Sequence, residues 1–189
     1  MGILLFSYIF LRAAILSLTH DESATTDLVS VPLTDIMFAP NQFNSANNHV
    51  LHSIFMKCSV LIFRWKEWSI RLPNVLLFIL YYSAAVWYMH RLSKNLFIRI
   101  AGIFILCAVP YLLDFFSLAR GYGMANSFSL PAFVLLVAFF QYAEKKYLLL
   151  SFCLAALAVY SNFTWLNVYL GLWLVVGYRS RPSYDCIDS

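Results

Sequence analysis

The amino-acid sequence predicts an all-α protein, a polytopic transmembrane helical bundle with about six spans and a long first outer loop that carries interfacial helices. Three observations predict this class. Hydrophobic residues make up 62% of the 189 residues, charged residues make up 12%, and the mean hydropathy is +0.74. Ordinary soluble domains are about a quarter charged, so a disordered tail, a basic nucleic-acid-binding arm and a typical cytosolic enzyme are excluded. We therefore expect the lipid bilayer, and no nucleic acid, as a partner.

Six apolar segments account for the predicted spans, because about 20 mostly apolar residues cross a bilayer as a helix. The first segment has neither a basic n-region nor an A-x-A-like cleavage site, so we interpret it as a membrane anchor rather than a signal peptide. The run 147–178 is too long for one untilted helix, and a polar break at residues 161–164 divides it into two short spans. The six predicted spans are 2–18, 72–89, 96–113, 123–142 and the two parts of 147–178.

The loops between these spans alternate in charge, which predicts the orientation of the chain. Basic residues collect between spans two and three, between spans four and five, and after span six, at Arg91, Lys94, Arg99, Lys145, Lys146, Arg179 and Arg181. The positive-inside rule places these positions in the cytoplasm. We therefore expect a single transmembrane domain (1–189) in the plasma (inner) membrane, with a cytoplasmic N-terminus, an outer loop at 19–71, five further spans at 72–178 and a cytoplasmic tail at 179–189.

Arg12 places a cation inside the first predicted span. Insertion scales put the cost of such a residue at about 2.5–3.5 kcal/mol. Its side chain either snorkels to the interface, or belongs to a helix that starts before Met1, or pairs with an acid of the first outer loop.

Two adjacent carboxylates, Asp21 and Glu22, follow the first span at the expected membrane surface. A carboxylate near the low-dielectric boundary can accept a proton from a hydroxyl of a lipid-borne substrate. The alternative is a solvated polar edge that ends the span and caps the next helix.

The middle of the first loop predicts an amphipathic helix. Residues 41–49 are polar and turn-rich, and Asn47 or Asn48 is expected to cap the helix that follows. That helix lies either flat in the headgroup zone or against the bundle. Its apolar positions recur with helical spacing at Leu51, Ile54, Phe55, Cys58, Leu61, Ile62 and Trp65, and the residues off this stripe are His52, Lys57, Ser59 and Lys66.

A divalent metal is a further possibility for the same loop, although no cofactor is certain. His20, His49 and His52 are potential ligands together with Asp21 or Glu22. The alternative is that these histidines are hydrogen-bonding or interfacial residues.

Three segments in order resemble the N-terminal part of the GT-C superfamily of integral-membrane glycosyltransferases. HDES at residues 20–23 is similar to the acidic motif that opens the first outer loop of that superfamily. NNHVLH at 47–52, followed by WSIRLP at 68–73, and DFFSLARGYG at 114–123 are similar to the segments that follow. Val50 departs from the proline that many members have. Within that superfamily, the segments resemble those of bacterial proteins related to protein O-mannosyltransferases, lipid A aminoarabinose transferases and Rgt-type lipopolysaccharide glycosyltransferases.

This resemblance implies an activity: transfer of a sugar from a polyprenyl-phosphate donor to a lipid, glycan or protein acceptor at the outer face. It implies that Asp21 is the catalytic base and that Glu22 is an orienting or metal-linked neighbour, with His20, Glu22 and His49 as the candidate metal ligands. Members of the superfamily are longer, so we expect the chain to be the N-terminal portion of a larger architecture.

The resemblance also implies substrate-binding roles for Arg120, Tyr122, His49, His52 and Arg71. A planar guanidinium matches the oxygens of a lipid phosphate, which makes Arg120 the candidate for that contact. The alternative for Arg120 and Tyr122 is an ordinary interfacial turn with a tyrosine anchor. Asp114 is expected to pair with Arg120 or with Arg71.

Two other functions compete with the enzyme. One is a non-catalytic membrane module that binds a polyprenyl lipid or a partner subunit. The other is a small transporter, which ranks last because Arg12 is the one intramembrane charge and no internal repeat is evident.

Overall fold

The computed structural model of the chain describes residues 1–38 and 49–179, and within these ranges every regular element is helical. The all-α prediction is therefore confirmed. Residues 41–48 of the turn-rich segment, and the tail from residue 180, lie outside the described residues. The α-helices are α1 (Gly2–Ile15), α2 (His20–Thr26), α3 (Leu33–Phe38), α4 (Val50–Phe63), α5 (Glu67–Leu92), α6 (Leu96–Cys107), α7 (Pro110–Ser117), α8 (Gly121–Tyr142), α9 (Lys145–Ser161) and α10 (Leu166–Arg179), with 3-10 turns at Asp27–Val29 and Phe163–Trp165.

Among the described residues, α5 and α8 are the two helices long and apolar enough to cross a membrane. Helices α6 and α7 are separated by a short break at which the chain bends by 55°. If the two helices count as one bent span, they make a third crossing. Pro110 explains that bend: it begins α7, lacks an N–H donor and holds Val109 in an extended conformation. These helices fit a membrane protein. Six full spans are not confirmed, since α1, α4 and the segment Phe163–Tyr178 are apolar but shorter.

The predicted break within 147–178 is present. Helix α9 ends at Ser161, and Asn162 adopts an extended conformation whose side chain accepts a hydrogen bond from the backbone N–H of Thr164. The polar residues therefore interrupt the long apolar run, as expected, and start the 3-10 turn that leads into α10.

Helix α5 is the centre of the bundle, because α1, α4, α6, α7 and α8 all pack against it. Its core contact with α7 is aromatic: Phe78 and Tyr81 lie against Phe116 at ring-centroid distances of 5.1 and 5.4 Å. On the far side α8 packs along α9 through small residues, and Ser151 donates a hydrogen bond to the carbonyl of Ala132 at 2.7 Å.

The alternating directions of the helices create two distinct ends. We call the first the site end: it gathers the C-terminal ends of α1, α7 and α9 with α2 and the N-terminal ends of α5 and α8. We call the second the basic end: it gathers the C-terminal ends of α5 and α8 with the N-terminal ends of α6 and α9, and it carries Arg91, Lys94, Arg99, Lys145 and Lys146.

One ion pair differs from the pairings expected for it. Arg12 of α1 binds Asp114 of α7 at 2.9 Å, and both side chains are about one-third exposed. The expectation that Asp114 pairs with Arg120 or Arg71 is wrong. Of the three alternatives for Arg12, the pairing with an acid of the first loop does not occur among the described residues. The crossing of α1 and α7 brings these two charges together near the site end.

Helix α4 is present, but its apolar stripe does not pack on the bundle. Its polar face is turned toward the protein, and much of the apolar stripe is exposed. Its buried residues are His52, Ser53, Met56 and Ser59, whereas Leu61 is 76% exposed and Ile62 is 72% exposed. His49, rather than Asn47 or Asn48, occupies the N-cap position. An apolar face turned away from the protein is the arrangement that a surrounding lipid phase favours.

Candidate functional site

Helix α2 begins with a capping box that fixes Glu22. The hydroxyl of Thr19 accepts from the backbone N–H of Glu22, and the backbone N–H of Thr19 donates to Oε2 of Glu22 at 3.0 Å. The pattern T-x-x-E is the sequence signature of this arrangement. It turns Glu22 toward the bundle and leaves its neighbour Asp21 on the outer side of the helix.

Arg71 holds Glu22 in a buried, two-pronged ion pair. Nε of Arg71 donates to Oε1 of Glu22, and Nη2 donates to Oε2, each at 2.8 Å, and neither side chain is exposed. The remaining donors of the guanidinium bind the last carbonyls of α1 and its exit, those of Ala13, Leu16 and Ser17. A guanidinium has five N–H donors, so Arg71 is saturated and closes the C-terminal end of α1.

Glu22 also holds the turn before α8. Its Oε1 accepts from the backbone N–H of Ala119 at 2.7 Å. Burial by itself raises the pKa of this carboxyl, but the hydrogen bonds from Arg71 and from the Ala119 and Thr19 amides bring the pKa below its usual value. Glu22 is therefore a buried carboxylate with both oxygens occupied, and the part of its expected role that the geometry supports is that of an orienting neighbour.

Asn74 and two glycines complete the positioning of that turn. The side-chain amide of Asn74 donates to the carbonyls of Leu118 and Arg120, each at 2.6 Å. A Cβ added to Gly123 would lie 2.5 Å from the Phe115 carbonyl oxygen, and one added to Gly121 would lie 2.0 Å from the Ser161 carbonyl oxygen. The glycines of the RGYG segment are needed because α8 starts in contact with α7 and α9.

Asp21 and Arg120 form an accessible ion pair at the site end. Nη2 of Arg120 donates to Oδ2 of Asp21 at 2.6 Å, and the two side chains are 24% and 48% exposed, respectively. His20 is fully exposed, with Nδ1 3.8 Å from the other carboxylate oxygen. Residues distant in sequence thus meet here, on the solvent-facing side of the buried Glu22–Arg71 pair.

The aromatic ring of Tyr122 lies beside this ion pair. Its ring stacks on Phe115 at 4.9 Å and contacts the ring of His49 edge-on at 5.7 Å. The guanidinium of Arg120 lies 5.6 Å from the Tyr122 ring centroid. A cation held near an aromatic face gains a further favourable interaction, so Tyr122 helps to fix Arg120.

His49 and His52 are buried beside the pair and uncharged at neutral pH. Burial, reinforced by the charge of Arg120, lowers the pKa of His49 to about 4. Burial and the neighbouring His49 lower the pKa of His52 to about 3, against the opposing effect of Glu22. Both ring nitrogens of His52 lack a hydrogen-bond partner among the described residues.

Three further buried polar groups at the site end were not predicted from the sequence: Ser53, Asn74 and Asn162. Each leaves a side-chain polar atom without a hydrogen-bond partner among the described residues. Buried polar atoms in proteins nearly always have a partner, which is often water. The sequence could have indicated Asn74, because it places a carboxamide in an otherwise apolar helix. Burial of such a group costs free energy unless the group is hydrogen-bonded.

The structure does not bring the candidate metal ligands together. Within residues 1–38 and 49–179, no group of three or more His, Cys, Asp or Glu side chains is arranged to hold a metal ion. His20 points into solvent, and both oxygens of Glu22 are hydrogen-bonded within the protein. The expected site residues therefore separate into an accessible group of Asp21, Arg120 and Tyr122, and a buried group of Glu22, Arg71, His49 and His52.

Comparisons with known proteins add no relative to this description. No family model matches the chain, and neither a curated protein nor a solved structure matches it. The functional conclusion therefore rests on the residues, on their geometry and on the resemblance of the three sequence segments.

Proposed function

We propose that the chain is a membrane glycosyltransferase, or the N-terminal part of one, that transfers a sugar from a polyprenyl-phosphate donor to a lipid, glycan or protein acceptor. One observation carries the proposal: an accessible carboxylate, Asp21, is held 2.6 Å from an arginine at the end of two long apolar helices. That position suits a reaction between a water-exposed acceptor and a headgroup carried by lipid.

Asp21 is the proposed general base. It takes the proton of the acceptor hydroxyl while the hydroxyl oxygen forms a bond to the anomeric carbon of the sugar. The bond between that carbon and the phosphate oxygen breaks, and the polyprenyl phosphate leaves with the electron pair. Asp21 suits this step better than Glu22, because Asp21 is half exposed and Glu22 is fully buried.

Arg120 is the proposed partner of the leaving phosphate. Among the described residues, only its Nη2 has a hydrogen-bond acceptor, so its other N–H donors remain available to phosphate oxygens. Tyr122 and the Asn74-bound turn keep the guanidinium in place before the substrate arrives. Charge that develops on the leaving group then meets a donor that needs no reorganisation.

Glu22 and Arg71 are proposed to position rather than react. They connect the end of α1, the start of α5 and the turn that presents Arg120. The Asp21–Arg120 distance thus depends on a buried network that no substrate touches.

The proposal includes the orientation and the finer topology expected from the sequence: six crossings, with the site end outside and the basic end in the cytoplasm. Arg91, Lys94, Arg99, Lys145 and Lys146 all lie at the basic end, and positive charge favours the cytoplasmic side.

The test replaces the base without changing its shape. Membranes that contain Asp21→Asn are expected to lose transfer from a radiolabelled polyprenyl-phosphate sugar by at least about 10²-fold. Asp27→Asn is the matched control, because Asp27 is an exposed acid that directly follows α2. Equal transfer by the two variants would show that Asp21 is not the base.

The second candidate function is a non-catalytic module that binds the polyprenyl lipid or a partner subunit. The observation in its favour is that Oδ2 of Asp21 is already hydrogen-bonded to Arg120. Wild-type membranes that retain the labelled donor but release no product with any acceptor class would support this function over the enzyme.

A further inference from the structure

A cleft at the basic end lies on the opposite side of the molecule from the candidate site. It has a volume of about 180 Å³ and lies between the last turns of α5 and α8. The side of α8 contributes Val134, Val137 and Ala138, whereas Arg91 and Gln141 stand at the two helix ends. The cleft is therefore apolar along the span and polar at its mouth.

Arg91 is held at this mouth by aromatic side chains. Its guanidinium lies 4.7 Å from the ring centroid of Trp87 and 5.5 Å from that of Tyr142. Nη1 also donates a hydrogen bond to the hydroxyl of Tyr142. A long flexible cation is thus ordered on two rings, and within the described residues its other N–H donors have no acceptor.

The surroundings of the cleft are positively charged. Lys94 and Lys145 are exposed, and Arg99 is half-buried; all three lie at or beside the ends of the helices that meet here. Glu144 is the acid in the adjoining turn, and it is bound by Lys146. The local field therefore attracts an anion rather than a zwitterion.

We propose that this cleft binds the headgroup phosphate of an anionic glycerophospholipid. Arg91 contacts the phosphate oxygens, Gln141 contacts the polar headgroup, and the first acyl carbons lie along Val134 and Val137. An amphipathic cleft with one ordered arginine at the level where two spans end matches a molecule that is charged at one end and apolar at the other. The proposed ligand is a bilayer lipid rather than a free anion, because the apolar side chains of the cleft would make no favourable contact with a free phosphate.

The test measures lipid binding to the purified full chain in detergent by native mass spectrometry. Dioleoyl-phosphatidylglycerol is titrated against dioleoyl-phosphatidylcholine, and we expect the anionic lipid to bind at least about tenfold more tightly. Arg91→Gln is expected to weaken phosphatidylglycerol binding at least about tenfold. Arg91→Lys keeps the charge but loses the planar fork, so we expect an intermediate loss.

Lys145→Gln is the matched control, because it removes a cation at the same end but outside the cleft. Its loss is expected to be at most about fivefold, the effect of one surface charge. Equal binding of the two lipids, or equal losses in Arg91→Gln and Lys145→Gln, would overturn the proposal. Displacement of bound phosphatidylglycerol by free glycerol phosphate would assign the cleft to small anions instead and would also overturn it.

Discussion

At the scale of single residues, the Glu22–Arg71 pair carries the largest predicted penalty. Both side chains are unexposed, and every donor of Arg71 is used. Glu22→Gln leaves a buried guanidinium without a counter-charge, which typically costs about 3–5 kcal/mol. We expect a clear fall in the thermal unfolding midpoint of the full chain in detergent.

Asp27→Asn is the control for this loss, because it removes a charge from the same loop at an exposed position. Exposed substitutions usually change stability by less than about 0.5 kcal/mol. A Glu22→Gln protein as stable as Asp27→Asn would mean that the buried pair contributes nothing to folding.

A second prediction at this scale concerns pH and the buried histidines. The pKa of His52 is lowered to about 3 and that of His49 to about 4, whereas the ordinary value is 6.5. The unfolded chain therefore binds protons more readily, and the stability from both groups is complete above pH 6.5 and falls as the pH drops toward their folded values. The pKa of Glu22 is lowered from 4.5, so its contribution is lost only below that pH.

Removal of a buried histidine should flatten this dependence. Between about pH 6.5 and pH 5, each such histidine changes stability by up to about 1.4 kcal/mol per pH unit. We expect His52→Leu to lose less thermal stability on acidification than the wild type. The fully exposed His20 gives the matched variant, His20→Leu, which should keep the wild-type slope. Identical slopes for His52→Leu and His20→Leu would contradict the burial of an uncharged His52.

At the scale of elements, helix α8 depends on a close approach that only glycine permits. A Cβ on Gly121 would meet the Ser161 carbonyl oxygen at 2.0 Å and the Cγ of His49 at 2.6 Å. Gly121→Ala must push α8 away from α9 and α4, so we expect a loss of about 1–3 kcal/mol. The thermal midpoint of the detergent-solubilised chain measures it.

Gly171→Ala makes the same chemical change where nothing lies within 4 Å of the added carbon. Gly171 is inside α10, and alanine is favoured over glycine in a helix interior by about 0.5–1 kcal/mol. We expect Gly171→Ala to be neutral or stabilising. If Gly121→Ala were also neutral or stabilising, the close contact between the start of α8 and the end of α9 would be contradicted.

The elements also show how far local pattern predicts this fold. Length and apolar content were sufficient to predict α5 and α8, and the polar residues at 161–164 predicted the break at Asn162. The pattern of α4 predicted a helix but did not predict which of its faces contacts the protein. In lipid surroundings an apolar face has no need to turn toward the protein interior. Its small polar face, which includes Ser53 and Ser59, packs on the protein instead.

The charged and aromatic residues of the candidate site were predictable from the sequence, whereas their pairings and the buried polar groups Ser53, Asn74 and Asn162 were not. Asp21, Arg120 and Tyr122 could be named from their motifs, and T-x-x-E identifies the cap that turns Glu22 inward. The partners of Glu22 and Asp21 lie 49 and 99 residues away. Periodicity is a local property, so it contains no information about which distant charges meet where helices cross.

At the scale of the whole molecule, the surface has three zones. Large apolar side chains are exposed along the sides, for example Ile79 at 53%, Ile105 at 68% and Leu174 at 75%. The site end carries the Asp21–Arg120 pair, and the basic end carries the cluster that includes Arg91 and Lys94. An apolar belt between two polar ends is the surface that a bilayer requires, because apolar patches of this extent are rare on soluble monomers.

The last prediction concerns which end faces the outside. In a background with Cys58, Cys107, Cys153 and Cys186 replaced, a single cysteine is introduced at Ser23 of the site end or at Lys94 of the basic end; both positions are exposed. The positive-inside rule predicts that a membrane-impermeant maleimide labels position 23 in intact cells and position 94 only after permeabilisation. Position 23 also adjoins Asp21, so its side of the membrane is the side on which the proposed transfer would take place. Labelling of position 94 in intact cells, with position 23 protected, would place the carboxylate in the cytoplasm and contradict transfer at the outer face.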